Sequence, residues 1–136
     1  MNSLHKTMLT PLAASVLLFG ASCLALAEGP TAAEYGTVLN LSGKQRMLSQ
    51  KMSKEIVLIQ LGYEKDANLA NLEATSALFD KTLKGLRDGD ESLKLPPTES
   101  RRILRQIDGK ITPLWDPFYA TVQEILSSGG VSDAQL

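Results

Sequence analysis

Histidine and cysteine occur once each in this chain, as His5 and Cys23, and both fall within the first 27 residues. Those residues have the layout of a secretory signal peptide: a short polar start carrying Lys6, an apolar run from Met8 to Leu26, and the small-residue triplet Ala25-Leu26-Ala27 before Glu28. Pro11 and Gly20 interrupt the run and no basic stop-transfer flank follows it, so cleavage is the preferred reading over a retained membrane anchor. A lipoprotein reading would use Cys23, but Gly20-Ala21-Ser22 lacks the large aliphatic residue expected three positions upstream. The mature chain then has neither imidazole nor thiol. This excludes Ser-His-Asp and Cys-His nucleophile systems, thiolate or imidazole metal sites, and disulfides, although an exported compartment would permit the last.

Excess charge is missing as well. With Lys6 removed, thirteen basic residues face fifteen acidic ones, which argues against a nucleic-acid or anionic-membrane partner. About 109 residues remain, enough for one modest helical core and too few for two. The expected layout is a signal peptide over 1–27 and one domain over 28–136.

What is present is helical periodicity. Thr31-Ala32-Ala33-Glu34 has capping-box spacing, and nothing breaks the following helix until Gly62. Val38, Leu41, Leu48, Met52, Ile56 and Ile59 mark its apolar positions. A turn around Gly62 to Asp66 leads to a second stripe, Leu69, Leu72, Phe79, Leu83 and Leu86, closed by Asp88-Gly89. The polar segment Asp90 to Pro97 reads as a loop, and Thr98 with Glu99 is expected to open a third helix. Its stripe, Ile103, Ile107, Ile111, Leu114, Phe118, Val122 and Ile125, runs straight across Pro113 and Pro117, which predicts one kinked helix. Trp115, Phe118 and Leu114 are expected in the core. Ser132 and Gln135 again have capping-box spacing. Two readings fit: the domain continues beyond Leu136, or the tail is polar and frayed. The fold class is thus all-α, an antiparallel bundle of three long helices lacking a fourth, with an open groove for a missing helix or a second chain.

On helix 1, Leu41, Leu48, Met52 and Ile59 define the inward sector, and Lys44, Lys51 and Lys54 read as a solvated flank. A third sector gathers Ser42, Gly43, Ser49 and Ser53 around one large residue, Arg46. Small residues permit close helix approach, and a guanidinium offers five donors in a rigid fork suited to a planar oxyanion. Three and four positions from Arg46 stand Ser42, Gly43, Ser49 and Gln50, so no acid lies one turn away. Arg46 then points to water, pairs with an acid such as Glu73 or Asp80 of helix 2, or meets a counter-charge from another chain or a bound anion. The acids Asp88, Asp90 and Glu91 read as a solvated cluster that ends a helix rather than an acid-base pair.

The run Asn40-Leu41-Ser42-Gly43-Lys44-Gln45-Arg46-Met47-Leu48-Ser49-Gln50-Lys51-Met52 resembles the signature of the PilJ-type domain, the N-terminal sensing domain of type IV pilus chemotaxis transducers that also occurs in free-standing exported proteins. It is also similar to the P-box of nitrate/nitrite sensor kinases. The similarity extends through Phe79-Asp80-Lys81-Thr82-Leu83, Leu86-Arg87-Asp88-Gly89-Asp90, Pro96-Pro97 and Trp115-Asp116-Pro117-Phe118. The resemblance implies a helical bundle that dimerises and holds nitrate at the dimer interface, through Arg46 of each chain and backbone near Gly43. No catalysis, no cofactor and no metal are expected, and the signal peptide implies a periplasmic or secreted location with no membrane contact after cleavage. Free-standing members usually continue into a fourth helix, and no HAMP, kinase or methyl-accepting region is visible in this sequence. The competing reading is an interaction module that docks a partner helix on the small-residue face of helix 1. Protein recovered from the cell envelope should begin at Glu28; an intact mass that retains Met1, or a diacylated Cys23, would refute the cleavage site.

Overall fold

The structure is a computed structural model, and it describes residues 29–132 and Gln135. The expectations for the signal peptide and its cleavage site lie outside the described residues. Helix α1 runs Ala32–Gln60 and α2 runs Lys65–Asp88. After a short 3-10 turn, Glu91–Leu93, come α3 (Arg101–Gln106), a π-helical turn (Ile107–Ile111) and α4 (Thr112–Ser128), which follow one another without a break. The described residues form an all-α antiparallel bundle, as the periodicity predicts.

Each boundary has a local cause. The capping box forms: Glu34 N–H donates to Thr31 Oγ1 at 3.3 Å and Thr31 N–H to Glu34 Oε2 at 2.6 Å. The Thr31 N–H and, second to it, the Thr31 hydroxyl, which donates to the same Oε2 at 2.8 Å, hold the Glu34 carboxyl below its usual range. The α1–α2 turn uses left-handed backbone at Gly62 and Glu64, and the Asn68 amide ties it by donating to Tyr63 O and Glu64 O at 2.9 and 3.2 Å. Gly89 ends α2 at φ 86°, where a Cβ would also come within 2.9 Å of Pro97 N, so the residue is required twice over.

The core is one cluster: Leu48, Met52, Ile56 and Ile59 of α1, Leu72, Phe79 and Leu83 of α2, and Ile107, Trp115, Val122 and Ile125 of the third helix. Helix α2 is central, with α1 packed on one side and α4 on the other. Toward the N-terminal half of α1 the bundle opens into a cavity of about 290 Å³, lined among others by Val38, Gln45, Phe79, Ile103, Ile107 and Ile111.

Three expectations need correction. Thr98 does not open the third helix. Its hydroxyl donates to Leu86 O at 2.5 Å and its N–H to Arg87 O at 3.2 Å, so it satisfies the last carbonyls of α2, and α3 starts only after Ser100. Leu114 is not in the core but 76% exposed, and Ile103 and Ile111 are also exposed. The reason is the π turn, in which Thr112 N–H reaches back five residues to Ile107 O. One extra residue in that turn rotates the following helix face by about 100°, at 3.6 residues per turn, so Trp115 takes the inward position that an unbroken α-helix gives Leu114. The irregularity in the third helix is therefore this turn, just upstream of the two prolines. Pro113 follows that turn as the second residue of α4, and Pro117 lies inside α4.

Trp115 packs against Phe79 at 4.1 Å and stacks on Tyr119 at 5.1 Å between centroids, and its Nε1–H donates to Asp80 Oδ1 at 3.1 Å. Trp115→Ala should cost about 3–5 kcal/mol, whereas Leu114→Ala should stay within about 0.5 kcal/mol. Urea unfolding of the two variants checks this, and equal losses would mean that the face assignment is wrong.

Candidate functional site

The face of α1 turned away from the core carries the site residues. At 3.6 residues per turn, Leu39, Arg46, Gln50 and Val57 fall within about 40° of arc, opposite Leu48, Met52 and Ile59. All four are exposed, as are Gly43, Ser49 and Ser53. Among the described residues the Arg46 guanidinium has neither a hydrogen bond nor an ion pair. The acids that could have paired with it do not: Asp80 takes Lys84 at 2.7 Å and the Trp115 indole, and Glu73 is exposed on α2. Of the three fates open to Arg46 from sequence, solvent exposure is the one this single chain adopts.

Gly43 and Arg46 are brought together on one face, one turn apart. A Cβ at Gly43 would meet nothing within 4 Å, so the chain's own packing does not require glycine there. Two of the serines are already engaged: Ser49 Oγ donates to Arg46 O at 2.8 Å and Ser53 Oγ to Ser49 O at 3.1 Å. Around them, residues 35–54 hold Lys44, Arg46, Lys51 and Lys54 and no acid. A positive field thus covers this stretch of a slightly acidic protein. Large apolar side chains are exposed on the same helix, Tyr35, Leu39, Met47, Val57 and Leu61.

Sequence reasoning missed an interior polar link. Lys51 is only partly solvated: its ammonium donates to Thr75 Oγ1 at 2.9 Å and lies 3.3 Å from Glu55 Oε1. Glu55 is fully buried, the Thr75 hydroxyl donates to its Oε1 at 3.3 Å, and its Oε2 has no partner among the described residues. The available signal was the (i, i+4) spacing of Lys51 and Glu55, but nothing in one helix tells which side of it a second helix will cover.

Elsewhere several charges are paired with one another. A cleft of about 340 Å³ between α2 and the third helix is lined by Asp80, Lys84, Arg87, Asp108 and Trp115. Within it Lys84 pairs with Asp80, which raises the ammonium pKa, and Arg87 binds Asp108 at 2.7 Å. Asp90 caps the 3-10 turn, accepting from the Ser92 hydroxyl at 2.6 Å and Leu93 N–H at 3.0 Å. The Ser92 bond above all, opposed in part by desolvation, holds the Asp90 carboxyl below its ordinary range. Its contribution is therefore present at neutral pH and lost as pH falls through that depressed value. These carboxylates terminate α2 and order a loop, as the sequence suggests. Among the described residues no group of three or more His, Cys, Asp or Glu could hold a metal, and no helix is long and apolar enough to cross a membrane.

The described residues form an all-α bundle, with Arg46 and Gly43 on an exposed face of its first helix. The family description "PilJ: Type IV pili methyl-accepting chemotaxis transducer N-term" matches residues 31–135, and the chain belongs to this family. The family's domain is the sensory N-terminal part of a chemotaxis transducer. No curated protein and no solved structure matches the chain.

The Lys51–Glu55–Thr75 link is open to direct measurement. Lys51→Met leaves a buried carboxylate with one hydroxyl partner and should cost about 2–3 kcal/mol, below the figure for a fully buried pair because Lys51 is partly in water. Adding Glu55→Leu should recover most of that loss. A urea double-mutant cycle in which the two effects simply add would show that the pair is not coupled.

Proposed function

We propose that the protein is an exported sensing module that binds a small oxyanion such as nitrate at an interface between two copies of the chain. Each copy supplies the Arg46 guanidinium and backbone near Gly43. The module does no chemistry on its ligand, and neither cofactor nor metal enters the reading. One observation carries it: the Arg46 guanidinium, without a partner among the described residues, stands on an exposed stripe of small residues, within a stretch that holds four basic residues and no acid.

Two such faces related by a two-fold axis oppose two guanidinium groups. Unit charges about 6 Å apart repel by on the order of 1–3 kcal/mol, depending on how much water separates them. An oxyanion that bridges both forks removes that repulsion and accepts charge-assisted hydrogen bonds. Binding and dimerisation then strengthen each other by linkage. Family membership supports the sensory role, and the signal-like residues 1–27 support a periplasmic or secreted location.

A second reading has its own observation. Leu39, Val57 and Leu61 are exposed on the same face, so a partner helix could dock there with a carboxylate opposite Arg46.

Calorimetric titration with nitrate, nitrite, sulfate and chloride, alongside sedimentation with and without anion, separates the two. The expected result is one anion per dimer. Arg46→Ala should abolish binding with helical content unchanged, since alanine is the better helix former. Arg46→Lys should bind poorly, because a point charge does not reproduce the fork. Gly43→Leu, which meets nothing within the chain, should weaken the dimer itself. If the parent protein binds no anion at millimolar concentration, the docking reading replaces this one.

A further inference from the structure

We propose that Gln50 is a second anion-binding side chain of the Arg46 site, a role that rests on the anion reading of Arg46. The inference comes from which hydrogen-bond donors the outer face of α1 still has to offer. Ser49 and Ser53 have committed their hydroxyls to their own helix backbone, at 2.8 and 3.1 Å. Ser42 borders the cavity between α1 and α3. Lys51 is turned to Glu55 and Thr75 on the α2 side. Lys54 is exposed but stands eight residues from Arg46, about 12 Å along the axis, beyond what one small anion spans. Gln50 is exposed, and its carboxamide has no hydrogen bond among the described residues.

Gln50 stands four residues from Arg46, about 6 Å along the helix axis and on the same stripe. Its carboxamide carries two N–H donors on a side chain long enough to reach back over one turn. The three oxygens of a trigonal oxyanion carry two lone pairs each, about six acceptor positions, and two facing guanidinium forks fill about four of them. The remaining positions call for further donors on the flanks of the forks. A neutral carboxamide fills that place without adding to the charge repulsion between two facing guanidinium groups. Gln50 therefore contributes to affinity through a directed hydrogen bond, and Arg46 through charge as well.

The test compares nitrate titrations of the purified parent, Arg46→Ala, Gln50→Met and Gln50→Glu, with the dimerisation constant of each measured by sedimentation without anion. Gln50→Met keeps side-chain length and helix propensity but removes both donors. Loss of one hydrogen bond to a charged ligand should weaken nitrate binding about tenfold to a hundredfold, with helical content and anion-free dimerisation unchanged. Gln50→Glu should abolish binding, because a carboxylate one turn from Arg46 pairs with the guanidinium and repels the anion. If the parent binds nitrate, Arg46→Ala does not, and Gln50→Met binds like the parent, the Gln50 role is wrong while the Arg46 site stands. If Gln50→Met loses binding only in proportion to a weaker anion-free dimer, Gln50 serves the interface and the proposal is overturned. If the parent binds no nitrate, both fall together.

Discussion

Burial of Leu48, Met52, Ile56 and Ile59 against α2 sets the rotation of α1 about its own axis, and every property of the opposite face follows from that setting. Each of these side chains gains roughly 1.5–3 kcal/mol from leaving water. A rotation of about 100°, one residue's worth, would expose them and draw other positions inward. The outward direction of Arg46 is therefore held by the core and needs no contact of its own. An exposed arginine tolerated by its own chain is cheap to keep. It becomes informative here because its neighbours are small, the stretch lacks acids, and the hydroxyls of Ser49 and Ser53 beside it are already spent.

The same interface carries a polar element that hydrophobic burial alone would not select. Lys51, Glu55 and Thr75 join α1 to α2 by directed contacts, with one carboxylate oxygen left unpartnered in the interior. A buried ion pair is weak evidence for stability, since replacement by apolar residues is often neutral or better. Directed contacts do penalise sliding of α1 along α2, because a shift of one turn would strand the Glu55 carboxylate among apolar side chains. The residue carrying the ammonium follows Gln50 directly, so the solvent-facing stripe and the interior link are mechanically adjacent on one helix.

Along the third helix the deciding constraint is the π turn. It passes the chain into Pro113 and Pro117 without interrupting the helix, and it turns Trp115 instead of Leu114 toward Phe79. Placing the indole there fixes Asp80, which then holds Lys84. That chain of contacts commits Asp80 to partners on α2 and on the third helix.

The helical class, the capping box at Thr31 and Glu34, the α2 stop at Gly89 and the small-residue stripe around Arg46 were legible in the sequence, because each depends on residues within a turn or two of one another. The lack of an acid one turn from Arg46 is likewise a local fact, whereas the ligand roles of Arg46 and Gly43 come from the resemblance of residues 40–52 to the PilJ-type signature. Three things were not. The exposure of Leu114 depends on a change of helical pitch that leaves the apolar spacing of the sequence intact. Thr98 looks like a helix start by its side chain, but its hydroxyl goes to carbonyls of α2 that reach it only once the loop has folded back. Glu55 is charged, and a charge predicts solvent until a second helix covers it and a lysine and a threonine from two elements meet it. Sequence determines periodicity and caps because they are made of neighbouring residues; tertiary structure decides which face is covered, because that depends on where the rest of the chain comes to lie.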